Sequence, residues 1–166
     1  MVNKKFLRIF AVVFAAIIIL TCFVSCNEDV QQPVIERGEF VPPPFDDAAV
    51  VGIPEIAEPD KVGYKELDAR SAYKLSICGA VKLDGDKADV YFTNPESNDV
   101  WLKLRVLNEK GEVIAETGLI RPGEYLKSIN FSSIPKIGDK IIIKVMGYQP
   151  DTYYSAGSVS LNTAIY

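Results

Sequence analysis

The chain has 166 residues and a formal net charge of −4, with 18 Lys and Arg against 22 Asp and Glu. It has no histidine and only three cysteines, Cys22, Cys26 and Cys78, which all but excludes a nucleophile dyad or a zinc cluster and implies no cofactor. No basic patch interrupts the near-neutral C-terminal part, which argues against nucleic acid, because that binding rests on clustered Lys and Arg neutralising phosphates.

Lys4, Lys5 and Arg8 precede an apolar run from Ile9 to Val24, which closes on Phe23-Val24-Ser25-Cys26. A basic segment followed by an apolar one is what the secretion machinery reads, so residues 1–26 are predicted to be a signal peptide or membrane anchor. Phe23 to Cys26 resembles the bacterial lipobox, and that resemblance implies a diacylated Cys26 as the new N-terminus. Phe6 to Val24 is also 19 residues long, near the roughly 20 that cross a bilayer, so an uncleaved single helix is the alternative. Both readings attach the chain to the cell membrane with its body on the extracytoplasmic face, because the basic residues precede the span and Glu28 and Asp29 follow it. In the second the N-terminus stays in the cytoplasm.

Residues 27–60 hold nine acids against Arg37 alone, together with Pro33, Pro42, Pro43, Pro44, Pro54 and Pro59. Proline fixes φ and removes donors while like charges repel, so an extended linker is expected. Within it, Ala49 to Ile56 is too apolar for a free linker. It is expected to add an edge strand to the body or to cover an exposed apolar face, and its prolines suit an edge.

From residue 61 to 166 the pattern changes to period two. Val100, Leu102, Leu104 and Val106 alternate with Trp101, Lys103, Arg105 and Leu107, as in a half-buried antiparallel strand. Turn residues at Asp84-Gly85-Asp86, Asn94 to Asp99, Glu109 to Glu112, Arg121 to Glu124 and Lys136 to Asp139 separate such stretches. Seven strands are predicted near 72–81, 87–93, 99–107, 112–117, 124–131, 139–148 and 157–165. Short strands at such spacing indicate an all-β fold, an antiparallel sandwich. Cys78, inside the first, is expected to be a small buried residue without a disulfide.

The order of elements resembles the Ig-like domains of bacterial surface proteins: Thr93-Asn94-Pro95 before Val100 to Leu104, Val106 to Ile114 with its Lys110-Gly111 hairpin, Pro122-Gly123-Glu124, then Gly138 to Val145. It is similar, more closely, to small anchored surface proteins of clostridial-type bacteria that carry Asn-Pro-Glu-Ser-Asn, here Asn94 to Asn98, and Tyr-Tyr-Ser-Ala-Gly, here Tyr153 to Gly157. That resemblance covers about residues 72–166, implies an Ig-like sandwich and a surface location, and brings no catalytic residue.

Among groups able to carry chemistry, Asp84, Asp86 and Asp89 imitate part of a calcium loop but lack its later bidentate carboxylate. Glu109, Glu112 and Glu116 flank a turn rather than a predicted cleft, and Ser155 and Ser158 have no base to activate them. The surface suited to recognition is aromatic. Outward-facing Trp101 beside Lys103 and Arg105, with Tyr148, Tyr153 and Tyr154 of the last loop, suits stacking against a sugar or peptide. Against this stands a packing role, in which Ala49 to Ile56 lies over Trp101 and the loop aromatics fold back on the rim. The expected protein is therefore a membrane-anchored, non-catalytic binding or structural module of the cell surface, with an envelope protein or glycan as partner. An accessory subunit of an envelope secretion, adhesin or transport complex is the alternative. A deep polar cleft with converging carboxylates would instead indicate a hydrolase.

Overall fold

Ten strands form in the computed structural model, which describes residues 40–70 and 72–166. They are β1 (Val50–Val51), β2 (Tyr64–Asp68), β3 (Lys74–Cys78), β4 (Leu83–Asp84), β5 (Lys87–Asn94), β6 (Trp101–Leu107), β7 (Val113–Glu116), β8 (Glu124–Asn130), β9 (Lys140–Tyr148) and β10 (Ser155–Ala164). One sheet runs β1-β8-β5-β3-β2 with β4 added to β5; the other runs β10-β9-β6-β7. Every pairing between these strands is antiparallel. The apolar run and Cys26 lie outside the described residues. Among the described residues, no helix is long and apolar enough to cross a membrane.

The period-two pattern becomes one core shared by both sheets. Leu75, Ile77, Val90, Phe92, Leu126 and Ile129 of the first sheet and Leu102, Leu104, Val106, Ile141, Ile143 and Val145 of the second are all buried in one cluster. Removing these side chains from water is the main favourable term, because the described part has no disulfide: Cys78 is buried and free, and burial pushes its thiol up to about 11.

All seven strands expected in the body are present; β2 and β4 are additional, and β1 falls within Ala49 to Ile56. The expected strand at 72–81 is confined to Lys74–Cys78, and Tyr64–Asp68 pairs with its whole length. The sequence of this partner, Tyr-Lys-Glu-Leu-Asp, is mostly polar because an edge strand buries little: only Tyr64 and Leu67 are half-buried. Leu83–Asp84 is the short arm of a hairpin against Lys87 and Ala88.

The compact unit runs from Val41, not from residue 61. The reason lies in residues 44–53, which strap across both sheets. The Leu119 N–H donates to the Pro44 carbonyl at 2.8 Å, the Asp46 N–H donates to the Leu119 carbonyl at 2.9 Å, and Phe45 bridges Leu119 in parallel. Farther on, Val50 and Val51 pair with Tyr125 and Glu124 of β8, as their apolar character predicted for an edge strand. Gly118 permits this close approach. Its N–H donates to Asp46 Oδ2 at 2.9 Å, and an added Cβ would sit 2.5 Å from the Asp46 backbone nitrogen.

Two buried polar groups tie the sheets together. Tyr73, just ahead of β3, donates its hydroxyl to the carbonyls of Val145 (3.1 Å) and Gly157 (3.3 Å) in the other sheet. Burial, partly offset by a hydrogen bond with the Gly147 backbone, pushes that hydroxyl up to about 12. Asn94, fully buried, donates Nδ2 to the carbonyls of Val100 and Ile120, both at 2.9 Å. Its Oδ1 accepts from Asn98 Nδ2 at 2.6 Å, and Asn98 in turn exchanges hydrogen bonds with the Lys74 backbone. The Asn-Pro-Glu-Ser-Asn stretch is thus a clasp between β3, β5 and β6.

Candidate aromatic recognition site

Trp101 opens β6 and Tyr148 closes β9, and the register sets them opposite each other. Leu102, Leu104 and Val106 point into the core, so Trp101, Lys103 and Arg105 lie on the outer face. Beyond Tyr148 the chain turns through a tight loop. The Gln149 N–H donates to the Tyr154 carbonyl at 2.8 Å and the Tyr153 N–H donates to the Gln149 carbonyl at 3.0 Å. Asp151 and Tyr153 are held at φ of 63° and 57°, a left-handed conformation that non-glycine residues adopt only when their surroundings impose it.

That conformation brings Tyr153 onto Trp101, with ring centroids 5.3 Å apart and planes tilted by 58°. On the strap side, Phe45 meets Trp101 at 4.8 Å in a T-shaped contact, and the Arg121 guanidinium lies 3.6 Å from the Phe45 ring centroid. Arg121 is itself steadied by Glu124, whose Oε1 lies 3.3 Å from Nη1. A continuous array, Arg121–Phe45–Trp101–Tyr153, therefore crosses one end of the outer face. Trp101, Tyr148 and Tyr153 are half-buried, whereas Tyr154 is 75% exposed where the loop rejoins β10. Aromatic geometry of this kind adds stabilisation beyond the area removed from water.

Two expectations about this face are corrected. The cover over Trp101 is Phe45, not Ala49 to Ile56, because the strap crosses this sheet before it reaches β8. Nor is Lys103 an exposed cation. It is 7% exposed, with Nζ 3.2 Å from Glu116 Oε2, and Arg105 Nε donates to the same oxygen at 3.0 Å. Partial burial of Glu116 opposes ionisation. The hydrogen bonds and charges of Arg105 and Lys103 outweigh it and hold the carboxyl below the usual glutamate value. One carboxylate thus engages both cations that the sequence offered for ligand contact.

The other groups weighed for chemistry are dispersed. Glu112 accepts from Asn108 Nδ2 at 2.7 Å inside the β6–β7 turn, and Asp89 accepts from Ser128 Oγ at 2.6 Å. Ser155 Oγ accepts the Gly157 N–H at 3.2 Å. Among the described residues no three His, Cys, Asp or Glu side chains are grouped to hold a metal ion. What this end of the molecule can do is present flat, weakly polar rings. Phe45 and Arg121 belong to that surface and were missed in sequence. The signal for Phe45 was a large aromatic inside an acidic, proline-rich stretch.

Among the described residues, fold and site together define an all-β body of two antiparallel sheets with an aromatic array at one end. No known family and no curated protein matches the chain. Among solved structures it is similar to part of the Ruminococcus gnavus beta-glucuronidase determined in complex with uronic isofagomine. Identity is 16% and the TM-score 0.36, with 55% of this chain and 14% of that chain covered. The chain thus spans about one seventh of that enzyme, and a likeness at this level carries nothing about activity.

Proposed function

We propose that this chain is a membrane-anchored extracytoplasmic module, an Ig-like sandwich acting as a non-catalytic binding or structural component of the cell surface, akin to the small anchored surface proteins it resembles. The basic and apolar residues before Cys26 support the address, and the two-sheet architecture supports the fold. The observation that carries recognition is the exposed Tyr154 beside half-buried Trp101 and Tyr153, on a loop held in left-handed backbone. A pre-formed aromatic edge loses little conformational freedom on contact, and aromatic anchors supply a disproportionate share of binding energy. The partner is an envelope protein or a glycan.

Two measurements test this reading. Mass spectrometry of the membrane-bound protein should find a diacylated Cys26 as the N-terminus, and Cys26→Ala should leave an unprocessed precursor. An intact segment from Met1 to Cys26 in the wild type would reject lipidation and leave the spanning helix. For recognition, Tyr154→Ala should weaken capture from envelope extract while its melt matches the wild type. Equal capture by both proteins would remove the loop from the binding surface.

A further inference from the structure

The two sheets end in edges of unequal character. In the first sheet, β1 is two residues long, and β2 carries Lys65, Glu66 and Asp68. In the second, β7 has four residues bounded by Glu112 and Glu116. Charge and shortness are the usual protections of an exposed edge. The strand β10 has neither: its ten residues, Ser-Ala-Gly-Ser-Val-Ser-Leu-Asn-Thr-Ala, include no charge and no proline.

Its two ends are nonetheless closed. A bulge between Ser155 and Gly157 interrupts the first residues, and the Gly157 carbonyl accepts from Tyr73. At the other end Thr163 Oγ1 donates to the Gly79 carbonyl at 2.7 Å, and Ile165 bridges Val81. Between them, Ser158 to Asn162 pairs with Met146 to Ile142 of β9, and among the described residues no strand pairs with its other side. Alternate N–H and C=O groups of this stretch face away from the sheet, ready to continue the ladder. On the core-facing side, Val159 and Leu161 pack against the hydrophobic cluster yet stay half-exposed, since among the described residues no strand lies beyond them. Backbone and side chains are incomplete at the same place.

We propose that Ser158–Asn162 pairs antiparallel with the same stretch of a second copy, joining two four-stranded sheets into one continuous sheet across a two-fold axis. The occupant follows from self-complementarity. An isologous contact places each patch against itself, so an edge with charges brings like charges together, whereas this one opposes only Ser158, Ser160 and Asn162 on the outer face. On the inner face it brings Val159 and Leu161 of each copy together and removes both from water. Five residues is an ordinary strand length, so the pairing is concentration-dependent rather than permanent.

Sedimentation of the full chain in detergent, with hydrogen exchange at two concentrations, tests the proposal. The wild type should form dimers as concentration rises, and amides of Ser158–Asn162 should gain protection with dimer while those of β7 do not. Ser160→Glu places its carboxylate beside Lys144, its register partner, so the fold tolerates it, but across the axis it meets its own copy. That variant should dimerise about tenfold or more weakly. Mixing it with Ser160→Lys should restore dimers of mixed composition. A wild type that stays monomeric, a dimer indifferent to Ser160→Glu, or protection confined to residues outside β10 would each overturn the proposal.

Discussion

Phe45 and Trp101, 56 residues apart in sequence, meet at a ring separation of 4.8 Å with their planes at 79°. The contact makes Trp101 a packing residue on one side and a surface residue on the other. Trp101→Ala should therefore cost about 1–3 kcal/mol, less than the 3–5 typical of a fully buried large aromatic. Phe45→Ala should cost about 0.5–1.5 kcal/mol beyond lost burial. A double-mutant cycle by chemical denaturation should show coupling between them, and additive values would mean that the rings do not interact.

Gly118 is the point at which the strap is fixed. Ala there would press its methyl against the Asp46 backbone, and backbone cannot move aside as a flexible side chain can. Gly118→Ala should therefore loosen the strap, seen as faster hydrogen exchange at Asp46 and Leu119 and a lower melting temperature. Exchange unchanged from the wild type would show that the approach is not as close as described.

Asn94 should be intolerant of change. Asn94→Ala removes one bond each from the carbonyls of Val100 and Ile120 and from Asn98 Nδ2; Ile120 keeps the Leu102 N–H and Asn98 keeps the Lys74 carbonyl, while a buried group left unsatisfied costs about 1–3 kcal/mol. Denaturant titration should find a loss larger than that for Asn98→Ala, whose site is only half-buried. The reverse order would remove Asn94 from the centre of the clasp.

Acid should weaken the Lys103–Glu116–Arg105 contact. The folded-state pKa of Glu116 lies below its ordinary 4.5, so the stabilisation is fully present above 4.5 and is lost as pH falls through the folded value. The carboxylate is half-exposed, so the contribution is expected to be a few tenths of a kcal/mol to about 1. Comparing melts of the wild type and Glu116→Gln, the difference should be present at neutral pH and should shrink on acidification below 4.5. A difference that persists into acid would assign it to packing instead of charge.

Leu104 is fully buried between the sheets, and Leu104→Ala should cost about 2–5 kcal/mol by lost burial plus a cavity. Chelators should leave the melt unchanged. A melt unaffected by Leu104→Ala would mean that β6 faces the other way.

The strands of the body were legible from sequence because burial on one face imposes a period of two, and Gly, Pro, Asn and Asp mark where each strand must stop. The apolar Ala49 to Ile56 left two roles open, an edge strand or a cover over an apolar face, and Val50–Val51 takes the first. The sequence alone also sets the charge partition, the lone thiol of the body and the basic-then-apolar start. It could not show β2, whose exposed edge position leaves almost no apolar pattern, nor which residues lie across space from one another. Only tertiary structure placed Phe45 over Trp101, spent Lys103 and Arg105 on Glu116, and turned Asn94 and Asn98 into a clasp. Those are contacts between segments distant in sequence, fixed by sheet register and strap path. Periodicity reports which way a side chain points; it carries no record of what meets it there.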